Sequence, residues 1–333
     1  MQLVQTSKTV PPFFDGVFRG QDYAITELLL KDPVTNVRFR PSLEESGETG
    51  PHDILGFRNY GIPNNPDVIV IGDSQTYGIG EPIDNNWPTQ LSALLFNNEI
   101  NFYSMAVGGW AATQYLHLTN MAVKLRPRAL IVAFYTGNDA LESFRSAYGN
   151  SHWYSLRSNS SLDKADAPSI GNLLDVEKIW MVNFPDSGDI AFTPEGRLTA
   201  NNDHPAVHAG YDIMANVARR IAHIGLQHDI NIIFTIIPTR ELAYEKKIVE
   251  GKISPPASYK KLVEMERRHI KKLANEIQSI SGANYVDLVA PLQTAALGKK
   301  LLYPRKWDGH PGAAGYAVIA SSLAPTVRKI LDL

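Results

Sequence analysis

The sequence predicts an α/β fold, a parallel sheet of five strands with helices on both faces. Three observations predict it. Five short apolar runs, at 68–71, 100–107, 129–135, 230–237 and 284–288, are rich in Val, Ile, Phe or Tyr, as strands covered on both faces should be. Segments with helical spacing of apolar residues separate most of them. The length, 333 residues with 44% hydrophobic and 20% charged, allows a large core and excludes wholesale disorder.

The elements follow in order along the chain. The run 68–71 exits through Gly72 and leads to a predicted helix over 87–96. The run 100–107 leads to a helix over 111–125, and the run 129–135 stands third. A helix over 206–227 precedes the run 230–237, and one over 259–281, closed by Gly282, precedes the run 284–288. A last helix is expected from about 313 to 330. Right-handed crossovers between parallel strands put every carboxyl end on one edge, where ligands bind. Residues 1–66, with the stretch PSLEESGETGP, lack this rhythm and are expected to wrap the main domain, residues 67–333. Residues 140–204 form a long insertion after the third strand, read either as a lid or binding wall, or as decoration packed by its own aromatics.

Composition narrows the function. The 32 Lys and Arg against 34 Asp and Glu give a net charge of −2, which argues against nucleic acid as the main partner. The absence of cysteine excludes disulfides, thiol nucleophiles and Cys-ligated zinc. No run approaches the ~18 apolar residues of a membrane span. The start, MQLVQTSKTVPPFF, has no basic region leading into an apolar one, so a secretory signal is not expected there. A cytoplasmic protein and one trimmed of an upstream anchor both fit.

Four segments carry candidate chemistry. In VIVIGDSQTYG (68–78), Ser74 follows a buried strand by two residues and stands at a turn or helix start, where unpaired N–H groups favour negative charge. Alternatively, Asp73 or Ser74 simply caps a helix. In SMAVGG (104–109), a glycine at a strand end lets a backbone N–H approach a reacting carbonyl. In YTGND (135–139), Asn138 can offer its amide to an oxyanion and Asp139 can brace the loop; the bland reading is an Asx turn. In WDGHPG (307–312), His310 can take a serine proton and Asp308 can orient the imidazole; the bland reading is a helix start with Pro311 at its first position. A second Asp-His-Pro string in NDHPA (202–206), with His208 nearby, reads mainly as helix-start chemistry with Asp203 as the cap, and secondarily as a second acid/base pair or metal ligands. The glycines from Gly72 to Gly80 lack the spacing of a P-loop or a dinucleotide fingerprint.

With these four blocks in this order, the sequence resembles the SGNH (GDSL-type) hydrolases, named for a Ser, Gly, Asn and His in separated blocks. The resemblance implies a flavodoxin-like three-layer α/β/α sandwich. It implies Ser74 as nucleophile, His310 as base with Asp308, and an oxyanion hole of Ser74 N–H, Gly109 N–H and the Asn138 side chain. Gly109 is preferred to Gly108 because the family glycine stands five residues after the position of Ser104. The spacing Asp308-x-His310 departs from the family's usual Asp-x-x-His. GFRN at 56–59 and IPTRELAY at 237–244 resemble the alginate O-acetyltransferase-like proteins of polysaccharide O-acetylation.

The expected function is therefore acyl-ester chemistry through an acyl-serine, with no metal or organic cofactor. An esterase removing short acyl groups, acetyl first, from a carbohydrate leads. A polysaccharide O-acetyltransferase using the same site is the alternative, and a non-catalytic carbohydrate-binding module is a remoter one. Trp153, Tyr154 and Trp180 of the insertion are the expected substrate-binding aromatics.

Overall fold

Apolar runs build one five-stranded sheet. In the computed structural model, which describes residues 6–7, 28–95, 100–169, 178–303 and 309–333, the strands are β1 (Val68–Gly72), β2 (Phe102–Ala106), β3 (Ala129–Tyr135), β4 (Asn231–Ile237) and β5 (Ala283–Asp287). All pairings are parallel, in the order β2-β1-β3-β4-β5. Every residue of β1 and β3 is buried, as their unbroken apolar sequence requires. The edge strand β5 is only partly buried, and Tyr285 and Val286 share it with Asn284 and Asp287.

The principal helices among the described residues are α1 (Ser74–Tyr77), α2 (Trp87–Leu95), α3 (Ala112–Ala122), α4 (Asp139–Gly149), α5 (Pro205–His228), α6 (Ala257–Gln278) and α7 (Ala313–Leu331). Helices α2 and α7 pack together on one face, and α3, α4, α5 and α6 pack as a second layer on the other. The chain passes from β1 to β2 on one side, then crosses to β3 on the other side of β1. In such sheets the ligand crevice lies at this reversal, beyond the carboxyl ends of β1 and β3.

The predicted strands and helices recur with no end moved by more than three residues. Residue 96, the last of the helix predicted over 87–96, lies outside the described residues. The insertion is more regular than its composition suggests. Its first residues form α4, packed against α5, and a hairpin of Trp180–Phe184 with Gly188–Phe192 follows further on. Ahead of β1, Leu29–Asp32 and Asn36–Phe39 form another antiparallel hairpin, and Phe39, Leu55, Phe57 and Ile62 join the main core.

Candidate active site

The turn leaving β1 has no room for a side chain. A Cβ on Gly72 would stand 2.1 Å from Thr76 Oγ1 and 3.3 Å from the Ala133 carbonyl oxygen. Asp73 then caps the single turn of α1, its Oδ1 accepting from Gln75 N at 2.9 Å. Gly78 ends that turn in the left-handed region, at φ 84°. This places Ser74 at the first helical position, 9% exposed. Its Oγ lies 2.8 Å from His310 Nε2, the distance at which a hydroxyl donates to an unprotonated imidazole nitrogen. The other acceptor in reach, Asp73 Oδ2, is farther, at 3.3 Å.

Two loops flank Ser74 because β2 and β3 flank β1, each about 4.8 Å away. After β2 the chain turns, with Trp110 N donating to Val107 O at 3.3 Å and Gly109 at φ 79°. A Cβ on Gly108 would meet Ser74 Cβ, Ile79 Cδ1 and Phe39 Cζ at 3.5–3.7 Å, so this backbone lines the wall next to the serine. After β3, the Tyr135 ring lies where a Cβ of Gly137 would be, which fixes glycine there. Asn138 stands at the N-cap of α4 but makes no side-chain cap bond, and its Oδ1 is buried without a hydrogen-bond partner. The amide is thus not committed to the helix.

Asp139 braces this loop. Its Oδ2 accepts from Tyr135 N at 2.9 Å and from Tyr115 Oη at 3.0 Å. Burial first, and the neighbouring Asp73 charge second, hold the Asp139 carboxyl well above the usual carboxylate range. Burial also pushes Asp73 up to about 6, against the Gln75 N–H and the His310 charge, which favour its ionised form.

His310 follows Gly309, at φ 81°, and precedes α7, whose N-cap is Gly312. Pro311 therefore stands before the cap and not at the first helical position. Asp308 and Trp307 lie outside the described residues.

The expected aromatics separate. Trp153 is 5% exposed, its Nε1 donating to Val34 O at 2.8 Å, so its ring is packed between the N-terminal hairpin and its own segment and has no free face for a sugar. Tyr154 is 48% exposed, with Arg157 lying 3.5 Å over its ring. Helix α4, roughly 16 Å long, separates both from Asn138. Trp180 is partly exposed and packs on Phe192 and Tyr259, in the hairpin that leads directly to the helix Pro194–Thr199.

The second Asp-His-Pro string starts α5. His204, not Asp203, is the N-cap, its Nδ1 accepting from Ala206 N at 3.2 Å. Asp203 pairs with Arg268 at the surface, at 3.2 Å. Among the described residues, no group of three or more His, Asp or Glu can hold a metal ion, and no helix is long and apolar enough to cross a membrane.

Several contributors have no catalytic signature in the sequence, because they act on main-chain atoms. Arg58 of GFRN, 1% exposed, donates from Nη1 to Tyr77 O (3.1 Å) and Gly78 O (2.8 Å) and from Nη2 to Glu81 O (2.9 Å), which pins the end of α1. Asn59 occupies the outer edge of β2, donating to Ser104 O at 2.9 Å and accepting from Ser104 N at 3.0 Å. Behind the Asn138 loop, Glu266 accepts from Thr136 Oγ1 (2.5 Å), Thr239 N (2.7 Å) and Thr239 Oγ1 (2.6 Å). The GFRN and IPTRELAY strings are thus partly braces of the site's walls.

A hydroxyl beside an imidazole nitrogen, at the mouth of three glycine-containing turns, can attack a carbonyl carbon and pass its proton to the ring. A family comparison agrees with that chemistry. The family model described as GDSL-like lipase/acylhydrolase matches residues 68–323. No curated protein sequence matches the chain significantly. Among solved structures, the chain is similar to a GDSL-like lipase from Bacteroides thetaiotaomicron (14% identity, 79% of this chain and 87% of that one, TM-score 0.39). It is also similar to a catalytic mutant of an acetylxylan esterase from Geobacillus stearothermophilus (13% identity, 81% and 95%, TM-score 0.42). A third is an alpha/beta hydrolase from the metagenome of Lake Arreo, Spain (14% identity, 78% and 94%, TM-score 0.40).

Proposed function

Since the chain belongs to the GDSL-like lipase/acylhydrolase family and is an SGNH-type ester hydrolase, we propose that it removes short acyl groups, acetyl first, from a carbohydrate, with Ser74 as nucleophile and His310 as general base. The observation that carries this reading is the 2.8 Å approach of Ser74 Oγ to His310 Nε2. Ser74 Oγ attacks the ester carbonyl carbon as His310 takes its proton. The oxyanion is held by the N–H groups of Ser74 and Gly109 and by the Asn138 amide. His310, with Asp308 orienting it, then protonates the leaving alkoxide. Water attacks the acyl-serine as His310 takes its proton; His310 then returns that proton to Ser74 Oγ as the acyl–oxygen bond breaks, and the acid leaves.

A short acyl group is favoured by the wall beside the nucleophile. Ser74 is 9% exposed, and a Cβ on Gly108 would lie 3.5–3.7 Å from Ser74 Cβ, Ile79 and Phe39, so these groups line one side of the space beside the serine. A carbohydrate alcohol is favoured by Trp180, the one aromatic of the three that leads into the site's edge. The test is one series of p-nitrophenyl esters from acetyl to octanoyl, followed by acetylated oligosaccharides, with free acid and acyl transfer both measured. Acetyl should exceed octanoyl at least tenfold in kcat/KM, a gap of about 1.4 kcal/mol. A preference for octanoyl overturns the short-acyl reading. Transfer to added oligosaccharide in place of release to water replaces hydrolysis with O-acetyl transfer.

A further inference from the structure

The loop that carries Asn138 is braced at Asp139 and at the Thr136 hydroxyl, and two of its carbonyls are held from another segment. Gly137 gives it no side chain, and the Asn138 side chain makes no cap bond. The rest of what holds it comes from the end of the insertion. Asn201 is fully buried, just before α5, and its Nδ2 donates to the Thr136 carbonyl at 2.9 Å. Its Oδ1 accepts from Tyr211 Oη at 2.8 Å, one helical turn and more along α5. The Tyr211 ring is in turn stacked on His269 of α6, with centroids 4.4 Å apart. Arg197, from the helix Pro194–Thr199, donates from Nη1 to the Gly137 carbonyl at 3.4 Å. Two successive carbonyls of the loop, at Thr136 and Gly137, are therefore taken by side chains of one segment.

From these contacts we infer that Asn201 is a positioning residue for the reaction, and that the end of the insertion acts as a strut under the Asn138 loop. The inference rests on Asn138 being an oxyanion donor. An asparagine suits the task because it is a donor and an acceptor on one rigid amide: one end holds the loop, and the other is held by Tyr211. Fixing a carbonyl two residues before Asn138 limits rotation of the loop, and an oxyanion donor works only when it is already aimed. The insertion is then part of the catalytic frame, and the packing of Tyr211 of α5 on His269 of α6 is what transmits that rigidity.

The test is a double-mutant cycle on p-nitrophenyl acetate. Asn201→Ala should lower kcat about tenfold and leave KM within twofold. In the Asn138→Ala background the same substitution should cost less than twofold, because the donor it positions is already gone. Asn201→Asp keeps the shape but removes the donor, and should match Asn201→Ala in kcat at neutral pH. If Asn201→Ala does not fold, Tyr211→Phe releases the Asn201 amide more gently, and a threefold loss in kcat with an unchanged circular dichroism spectrum is expected. A tenfold loss that persists in the Asn138→Ala background, an effect confined to KM, or an unchanged kcat overturns the inference while Asn138 keeps its role. If Asn138→Ala alone leaves kcat unchanged, the oxyanion reading fails and the strut with it.

Discussion

Ser74 and His310 are 236 residues apart in the chain and 2.8 Å apart across the site. Ser74 is placed by β1 and the turn of α1, and His310 by the approach to α7. Helix α7 packs on α2, the next long helix after Ser74, so the core of one face also sets the distance between the two side chains. Loss of either side chain should remove chemistry while the packing that brings them together persists.

Ser74→Ala should lower kcat for p-nitrophenyl acetate by about 10⁴-fold or more, with the melting temperature nearly unchanged. A serine-directed phosphonate should label Ser74 alone. His310→Ala should cost several orders of magnitude, whereas His204→Ala, which alters only the cap of α5, should cost little. Labelling at another serine, or the reverse ranking of the two histidines, moves the site elsewhere.

Asn138→Ala should lower kcat roughly 10²-fold with KM little changed, because an oxyanion donor acts chiefly in the transition state. The uncommitted amide at the N-cap makes the fold tolerant of this change: no cap bond is lost. Steady-state kinetics on one short ester decide the matter. A rise in KM at constant kcat would place Asn138 on the ground-state substrate.

The strands and the four motif blocks were legible because each obeys a local rule. Val68 to Ile71 is an unbroken buried run, and Gly72, Gly109 and Asn138 mark the turns at strand ends. Asn201, Arg197, Glu266 and Arg58 obey no local rule. Each bonds to atoms brought near by the fold, at separations such as the 65 residues between Asn201 and Thr136 or the 130 between Glu266 and Thr136. Aromatic composition misled at Trp153 for the same reason: a ring among polar residues reads as a surface platform until the partner that buries it, the hairpin ending at Phe39, is in place.

Glu266 makes stability depend on pH. Burial, offset by the bonds from Thr136 and Thr239, raises its carboxyl to about 7 from an ordinary 4.5. The folded state therefore keeps this proton where the unfolded chain has lost it. Its contribution is complete below pH 4.5 and is lost as pH rises through about 7. The loss is on the order of 3 kcal/mol. Glu266→Gln keeps the shape and cannot titrate, so urea melts between pH 4.5 and 7.5 should show a flatter fall in stability than the parent. The fall should not vanish, since burial also raises Asp53 and Asp73 to about 6. Identical slopes in the two proteins would show that Glu266 ionises freely in the fold.

The three aromatics of the insertion should divide between stability and substrate. Trp153 fills a site between α4's continuation and the Leu29–Asp32/Asn36–Phe39 hairpin, touching His117 and His152 edge-on. Trp153→Ala removes a ring that is 5% exposed and leaves the Val34 carbonyl without its indole donor. The cost should be about 3–5 kcal/mol, and Trp153→Phe, which loses mainly the hydrogen bond, should cost about 1–1.5 kcal/mol. Neither variant that remains folded should alter the ratio of kcat/KM for an acetylated oligosaccharide to that for p-nitrophenyl acetate. Trp180→Ala should lower that ratio, since the small ester does not reach the hairpin, and Tyr154→Ala should move neither quantity because its ring lies under Arg157 and a helix length from Asn138. Urea melts and the two-substrate ratio separate the cases. A Trp153→Ala protein of parental stability that turns over the oligosaccharide selectively more slowly would return that ring to the substrate, and silence of Trp180 on every glycan tried would remove the carbohydrate from the proposed function.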